Sequence, residues 1–363
     1  MKQGLRWLDS DMHLAEPWDL WYPYVEPAFR DHVEAVTGVG PGYFPLTHGP
    51  ASAIRDIRKG RLADFLPYLN EAQTHVDPAG QLRAMDTEGI DAAVLFPTIA
   101  LRSPDDSPPG AAMATRRAFN SWLADFCAYE PARLKLNAAV PLHDVNAAVA
   151  ELRRVKALGA VSFMPDPRPD GAAFDDPLYE PIWAEAEALG LAVDFHNGIP
   201  GQLNARYSDR PSHIYLHASQ RPVGHMCTFM ELLYGGVLER HPRLHVVFLE
   251  AGASWVPYWL FRLEEEWERF RDLHPGMHEN VTMPPIEYWK RQCYCSVEVG
   301  EWSLPGVVAT IGDDNLVVSS DFPHFDCDFP EAGNHFLELA GVSHESKRKI
   351  LWDNCARLYH LDS

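Results

Sequence analysis

The sequence predicts a (β/α)8 TIM barrel, distorted by long insertions after its first and fifth strands. Three observations lead there. Short apolar or β-branched runs recur along the 363 residues, and there are eight of them. Helical patterns fall between most of these runs. The runs are continuously apolar, as expected for strands of a parallel sheet covered on both faces. An open doubly wound sheet is the competing architecture. It would carry a Gly-rich turn after its first strand, and Trp7–His13 has none.

The elements follow in order. The first run, Trp7–Asp11, is separated from the second, Ala92–Pro97, by residues 14–79. That segment is rich in Pro, Gly and aromatics, among them Tyr22, Phe29, Tyr43, Phe65 and Tyr68. The helical pattern Ala111–Tyr129 carries Phe119, Leu123 and Phe126 on one stripe and leads into the run Leu134–Val140. Val145–Leu158 repeats Val149, Leu152 and Val155 before the run Ala160–Met164. Asp176 as N-cap, with Pro177 at the first helical position, opens a helix over Pro177–Leu189. The fifth run, Leu191–His196, is followed by a second insertion at 197–221 and a helix over Val223–Arg240. The sixth run is His245–Glu250, followed by the amphipathic Trp255–Phe270 and a third insertion at 271–290. Cys293–Val299 and Leu316–Asp321 complete the set. The chain 1–363 reads as one barrel domain. Loops after strands face the active-site end of a barrel, so 14–79 and 197–221 are expected to form a lid or an oligomer contact.

Composition excludes several functions. There are 31 Lys+Arg against 51 Asp+Glu, a formal charge of −20. No basic run exists to neutralise phosphates, so no nucleic-acid or anionic-membrane partner is expected. No stretch approaches the roughly 18 apolar residues of a membrane span. Met1–Arg6 leads straight into Trp7 without an apolar leader, and the six cysteines are dispersed. Free thiols and a cytoplasmic location follow as expectations. Cys293 and Cys295 read as alternate strand positions rather than a metal pair.

The chemistry lies where the strands end. Asp11 and His13 are two apart and point to the same side of an extended segment. The fifth run ends at His196, the sixth at Glu250, and the eighth at Asp321, with His324 beyond it. In a barrel those ends converge on one mouth. Two carboxylates and two imidazoles there form an N/O set suited to Zn²⁺, Mn²⁺ or Fe²⁺. A lone Asp at a strand end is ordinarily a cap or turn former, and a lone His ordinarily structural. Their conjunction at strands one, five and eight is what caps do not explain.

The motif Asp11-x-His13-x-x-Glu16-Pro17-x-Asp19-Leu20-Trp21 resembles the opening of the amidohydrolase superfamily. More narrowly, it resembles the branch containing aminocarboxymuconate-semialdehyde decarboxylase and the resorcylate-type decarboxylases. The resemblance continues through Gly236–Leu244, Phe248–Gly252 and Ser320–His324. It implies a distorted barrel holding one catalytic divalent metal ion. Carried over by position, the ligands are Asp11, His13, His196 and Asp321. Many members begin with His-x-His; Asp11 in the first place adds an oxygen ligand and tilts preference towards Mn²⁺ or Fe²⁺.

A second departure bears on the reaction. The branch usually shows a His after the sixth strand, where this chain has Glu250. A carboxylate there repels a substrate carboxylate and fits water activation. Its alternative role is an interior ion pair with Arg or Lys. Asp321, Glu250 and His225 are therefore the expected catalytic groups, and Arg221, His217 and His324 the expected substrate contacts, Arg221 as an anion anchor. Glu16 and Asp19 are expected to brace the first loop. The leading expectation is a mononuclear metal-dependent hydrolase acting on an amide, lactone or activated carbonyl. The alternative is a non-oxidative decarboxylase of an aromatic or unsaturated acid, and a barrel scaffold without activity is third. In each enzymatic case the partner is a small molecule, with an anionic one compatible with a cation at the mouth, and a homodimer or larger homo-oligomer is expected.

Overall fold

The computed structural model describes residues 2–361 apart from 41–42, 45–48, 51–64, 73, 102–105, 167–171, 197–211, 275 and 325–326. Eight parallel strands form one sheet: β1 (Leu8–His13), β2 (Ala92–Phe96), β3 (Leu134–Pro141), β4 (Ala160–Asp166), β5 (Ala192–Phe195), β6 (Val246–Phe248), β7 (Cys293–Val297) and β8 (Leu316–Val318). Each strand pairs in parallel with the next in sequence. All eight expected strands are present.

The barrel is nearly closed, and its seam is chemically distinctive. Between β8 and β1 the bridging bonds come from side chains and from strand-end amides. Ser10 Oγ donates to the Val318 carbonyl and Ser319 Oγ to the Asp11 carbonyl, both at 3.0 Å. The Asp321 amide donates to the Asp11 carbonyl at 3.2 Å and the His13 amide to the Phe322 carbonyl at 2.7 Å. The first and last strand ends are thereby locked together.

The interior is filled by inward residues such as Leu8, Val94, Val161, Val247 and Val317, packed with Cys355, Leu358 and Tyr359 of the C-terminal segment. Burying side chains of this kind contributes about 1.5–3 kcal/mol each. Helices surround the sheet. Ala111–Cys127, Val145–Ala157, Glu180–Leu189 and Trp255–Phe270 lie where the apolar stripes place them. Asp144 accepts from the Ala147 amide and Asp176 from the Leu178 amide, so both act as N-caps.

Three elements differ from expectation. Pro78–Glu88 is a helix, capped by Asp77 through the Gly80 amide, and it completes the first crossover. Its apolar stripe is interrupted by buried Gln81 and Glu88, which hides it from periodicity. Glu88 is buried because it receives the amides of Ala332 and Gly333. The helix after β5 begins at Ser212 rather than Val223 and runs through Pro222 to Tyr234. The third insertion contains a helix, Pro285–Gln292. Residues 51–64 of the expected lid and 197–211 of the second insertion lie outside the described residues. Among the described residues no helix is long and apolar enough to cross a membrane.

Candidate metal centre

A bulge in β1 prepares the site. Asp9 pairs with Ala93 but Met12 with Leu95, so an extra residue is accommodated at Ser10–Asp11. Bulges re-aim side chains at the ends of ladders. Asp11 and His13 are both fully buried. His196 follows β5 and is fully buried as well.

The donor atoms of these residues converge. His13 Nε2 lies 2.9 Å from His196 Nε2 and 3.3 Å from Asp11 Oδ1. His196 Nε2 lies 3.4 Å from Asp11 Oδ2, and His13 Nε2 lies 3.4 Å from Asp321 Oδ1. Donors about 2.1 Å from one ion stand about 3.0–3.4 Å apart, so these separations match the edges of a coordination polyhedron. Neither Asp11 oxygen accepts a hydrogen bond among the described residues, although both are buried. A carboxylate in that position needs a cation. His13 Nδ1 donates to the Pro97 carbonyl at 2.6 Å, which leaves the Nε2 lone pair facing the centre. The residues present therefore fit a divalent metal ion.

Two donor triads emerge: Asp11, His13 and His196, and His13, Asp321 and His324. They share His13. Burial would raise the Asp11 carboxyl, but the adjacent His196 and His13 rings outweigh it and hold Asp11 below its ordinary range. Burial pushes His196 down to about 4, so its ring is neutral, as a ligand requires. Asp321 is likewise held low: burial opposes ionisation, but the His324 ring and then His13 prevail.

Glu250 and Asp321 both have left-handed backbones, with φ of 56° and 54°. Non-glycine residues rarely adopt this region, and it costs of order 1 kcal/mol or more each. Here it turns each carboxylate off the end of its strand. Both line a cavity of about 330 Å³ together with Ser319, Ser320 and Val299. The cavity therefore opens on the candidate metal centre from the β6–β8 side.

Glu250 is not a free carboxylate. It forms an ion pair with Arg221, from the helix Ser212–Tyr234, and its Oε2 is 3.2 Å from His196 Nε2. The structure thus contains the interior ion pair weighed for Glu250, with the expected anion anchor as its partner. His225 is fully buried, and its Nε2 donates to the Leu249 carbonyl at 2.7 Å, immediately before Glu250. Burial pushes its pKa down to about 3, so the ring stays neutral. His217 lies in the same helix, but its side chain is outside the described residues. His324 comes to the centre, stacked on His13 with ring centroids 3.9 Å apart. Glu16 is buried and accepts the amides of Thr98 and Ile99, tying the first loop to the end of β2. Asp19 is exposed. Cys293 and Cys295 are buried, free and on β7.

The sequence reading missed Thr98, whose Oγ1 is 3.1 Å from His324 Nε2. No motif marks it; only the end of an apolar strand hints at a mouth position.

The amidohydrolase family model matches residues 9–361. The chain belongs to the amidohydrolase family. Among amidohydrolase relatives, the gamma-resorcylate decarboxylase of Rhodococcus jostii is 28% identical over 324 residues, 83% of this chain and 94% of that one. The 2-amino-3-carboxymuconate-6-semialdehyde decarboxylase of Dictyostelium discoideum is 24% identical over 288 residues, 79% of this chain and 77% of that one. Among solved structures, a dihydroxybenzoic acid decarboxylase of Polaromonas sp., with bound manganese and the inhibitor 2-nitroresorcinol, superposes with a TM-score of 0.70 at 22% identity. That match covers 99% of this chain and 98% of that one. These likenesses bear out the branch read from the opening motif, and among the two enzymatic readings they favour the decarboxylase over the hydrolase.

Proposed function

We propose that this amidohydrolase is a metal-dependent, non-oxidative decarboxylase of a small aromatic carboxylic acid. The observation that carries the reading is the convergence of Asp11, His13, His196 and Asp321 beside a cavity of about 330 Å³. The decarboxylase names of its relatives support it. The hydrolase reading rested on Glu250 as an available base with an uncompensated charge. Paired with Arg221, Glu250 offers neither, so the objection to a carboxylate substrate loses its basis.

Asp11, His13, His196 and Asp321 would hold the ion. When bound, the ion supplies a positive centre for the substrate carboxylate and an adjacent hydroxyl. Mn²⁺ is the favoured ion, because carboxylate oxygens make up half of this ligand set and manganese is bound in the Polaromonas neighbour. Arg221 keeps Glu250 neutralised and places a cation at the same wall. Asp321 is the ligand that borders the cavity. Asp321, ionised beside His324 and His13, takes the proton of the substrate's adjacent hydroxyl and carries it to the ring carbon that bears the carboxylate. The carbon–carbon bond then breaks, its electron pair restores the ring as a phenoxide, and CO₂ leaves. Solvent protonates the phenoxide, and Asp321 ends ionised as it began.

The experiment is direct. The manganese-loaded protein is incubated with 2-hydroxybenzoate-type acids and CO₂ is trapped, in parallel with amides and lactones followed by proton release. CO₂ evolution abolished by chelator is expected. Proton release from a lactone or amide, with no CO₂ from any hydroxybenzoate, would overturn the reading.

Two further expectations belong here. A homo-oligomer is supported by exposed Tyr258 and Phe261 on one helix and by Trp302 on the neighbouring loop. A reducing, cytoplasmic setting is supported by six free cysteines, five of them buried.

A further inference from the structure

His324 is held from three directions. Its Nε2 is 3.1 Å from Thr98 Oγ1. Its ring stacks on His13 at 3.9 Å with an interplanar angle of 28°. Its Nδ1 lies 2.9 Å from Asp321 Oδ1, close though not aligned as a linear hydrogen bond. Thr98 is itself fixed, because its amide donates to Glu16 Oε1 at 2.8 Å and Glu16 is fully buried. A chain of contacts thus runs from Glu16 through Thr98 and His324 to one oxygen of Asp321.

Two simpler roles do not fit. His324 is not a helix cap, since the next helix, Ala332–Glu338, begins after Glu331. Nor does it readily ligate the same ion. Its ring is stacked on His13, 3.9 Å away and 28° from parallel, so the in-plane lone pairs of the two rings run side by side rather than converging on one ion. Its two nitrogens face Thr98 Oγ1 and Asp321 Oδ1. What remains is orientation. Asp321 sits on a left-handed backbone, and His324 faces one of its oxygens.

We propose that His324 is a positioning residue: clamped by Thr98, it sets the orientation of the Asp321 carboxylate at the metal centre. The proposal rests on the metal-centre reading given above. It predicts that His324 acts only through Asp321.

The test uses metal affinity by chelator competition, metal content at saturating manganese, and steady-state kinetics, for His324→Phe, His324→Asn, Thr98→Val, Asp321→Asn and the double variant His324→Phe/Asp321→Asn. Phe keeps the stacking and removes the nitrogens, whereas Asn keeps a donor near the Nδ1 position. His324→Phe is expected to weaken manganese binding and kcat by about 10–100-fold, with metal content unchanged at saturation. His324→Asn should recover most of both, and Thr98→Val should move both in the same direction. In the Asp321→Asn background, His324→Phe should have no further effect on affinity. Loss of metal at saturation in His324→Phe would make His324 a ligand and overturn the proposal. So would additive effects in the double variant, or affinity within about twofold of the parent. The affinity readouts need no substrate, so they stand apart from the outcome of the decarboxylation assay.

Discussion

Arg221 and Glu250 form an ion pair across the mouth of the barrel, and Glu250 in turn touches His196. The helix after β5 thereby places its cation against the end of β6, where the sequence had seemed to offer an unpaired acid. On the proposed decarboxylase reading, the pair sets the charge that an incoming carboxylate meets. Arg221→Met would leave Glu250 negative beside the centre. KM for the aromatic acid should then rise about 10–100-fold, the loss of one charge-assisted contact worth about 1.5–3 kcal/mol. Glu250→Gln should move KM the other way and leave metal content unchanged. Steady-state kinetics with metal analysis decides: an unchanged KM in Arg221→Met removes the pair from substrate recognition.

The ligand assignment makes its own prediction. His196→Ala and Asp11→Asn should each lose manganese, read by elemental analysis after dialysis, and lose activity with it. Asp321→Asn should cut kcat by about 10²–10⁴-fold, the scale of a positioned proton carrier. Full metal occupancy in His196→Ala would refute the centre.

Glu16 should leave a mark on stability. Burial pushes its carboxyl up to about 7, against a smaller opposing effect from backbone amides such as that of Thr98. A raised folded-state pKa stabilises below the ordinary range near 4.5 and loses that contribution as pH rises towards 7. Relative to the parent, Glu16→Gln should therefore gain about 1–3 kcal/mol between pH 4.5 and 7. Denaturant melts of both proteins at several pH values check this; parallel curves would show that Glu16 is ionised throughout.

Association should depend on the exposed aromatics. Trp302 is 87% exposed and Phe261 57%. A contiguous group of large apolar side chains left in solvent marks an interaction surface. Sedimentation should find a dimer or larger assembly, and Phe261→Asp should shift it towards monomer. A parent protein that sediments as a monomer at micromolar concentration ends this expectation.

The sequence by itself determined the barrel. Eight continuous apolar runs separated by helical stripes leave few ways to bury both faces of a parallel sheet, and each strand appears where its run lies. It also singled out Asp11, His13, His196 and Asp321, which each end or follow an apolar strand and whose donor atoms the fold brings together. It concealed the helix Pro78–Glu88, whose buried Gln81 and Glu88 are satisfied only by distant partners. The pairing of groups at the mouth was decided by tertiary structure alone. Periodicity reports which face of its own element a residue occupies, not what stands opposite. Barrel closure brings Thr98 to His324 and Arg221 to Glu250, and left-handed turns at Glu250 and Asp321 aim the two acids. Those contacts join residues far apart in the chain, and so the roles of the strand-end groups follow from the geometry of closure, which local sequence does not encode.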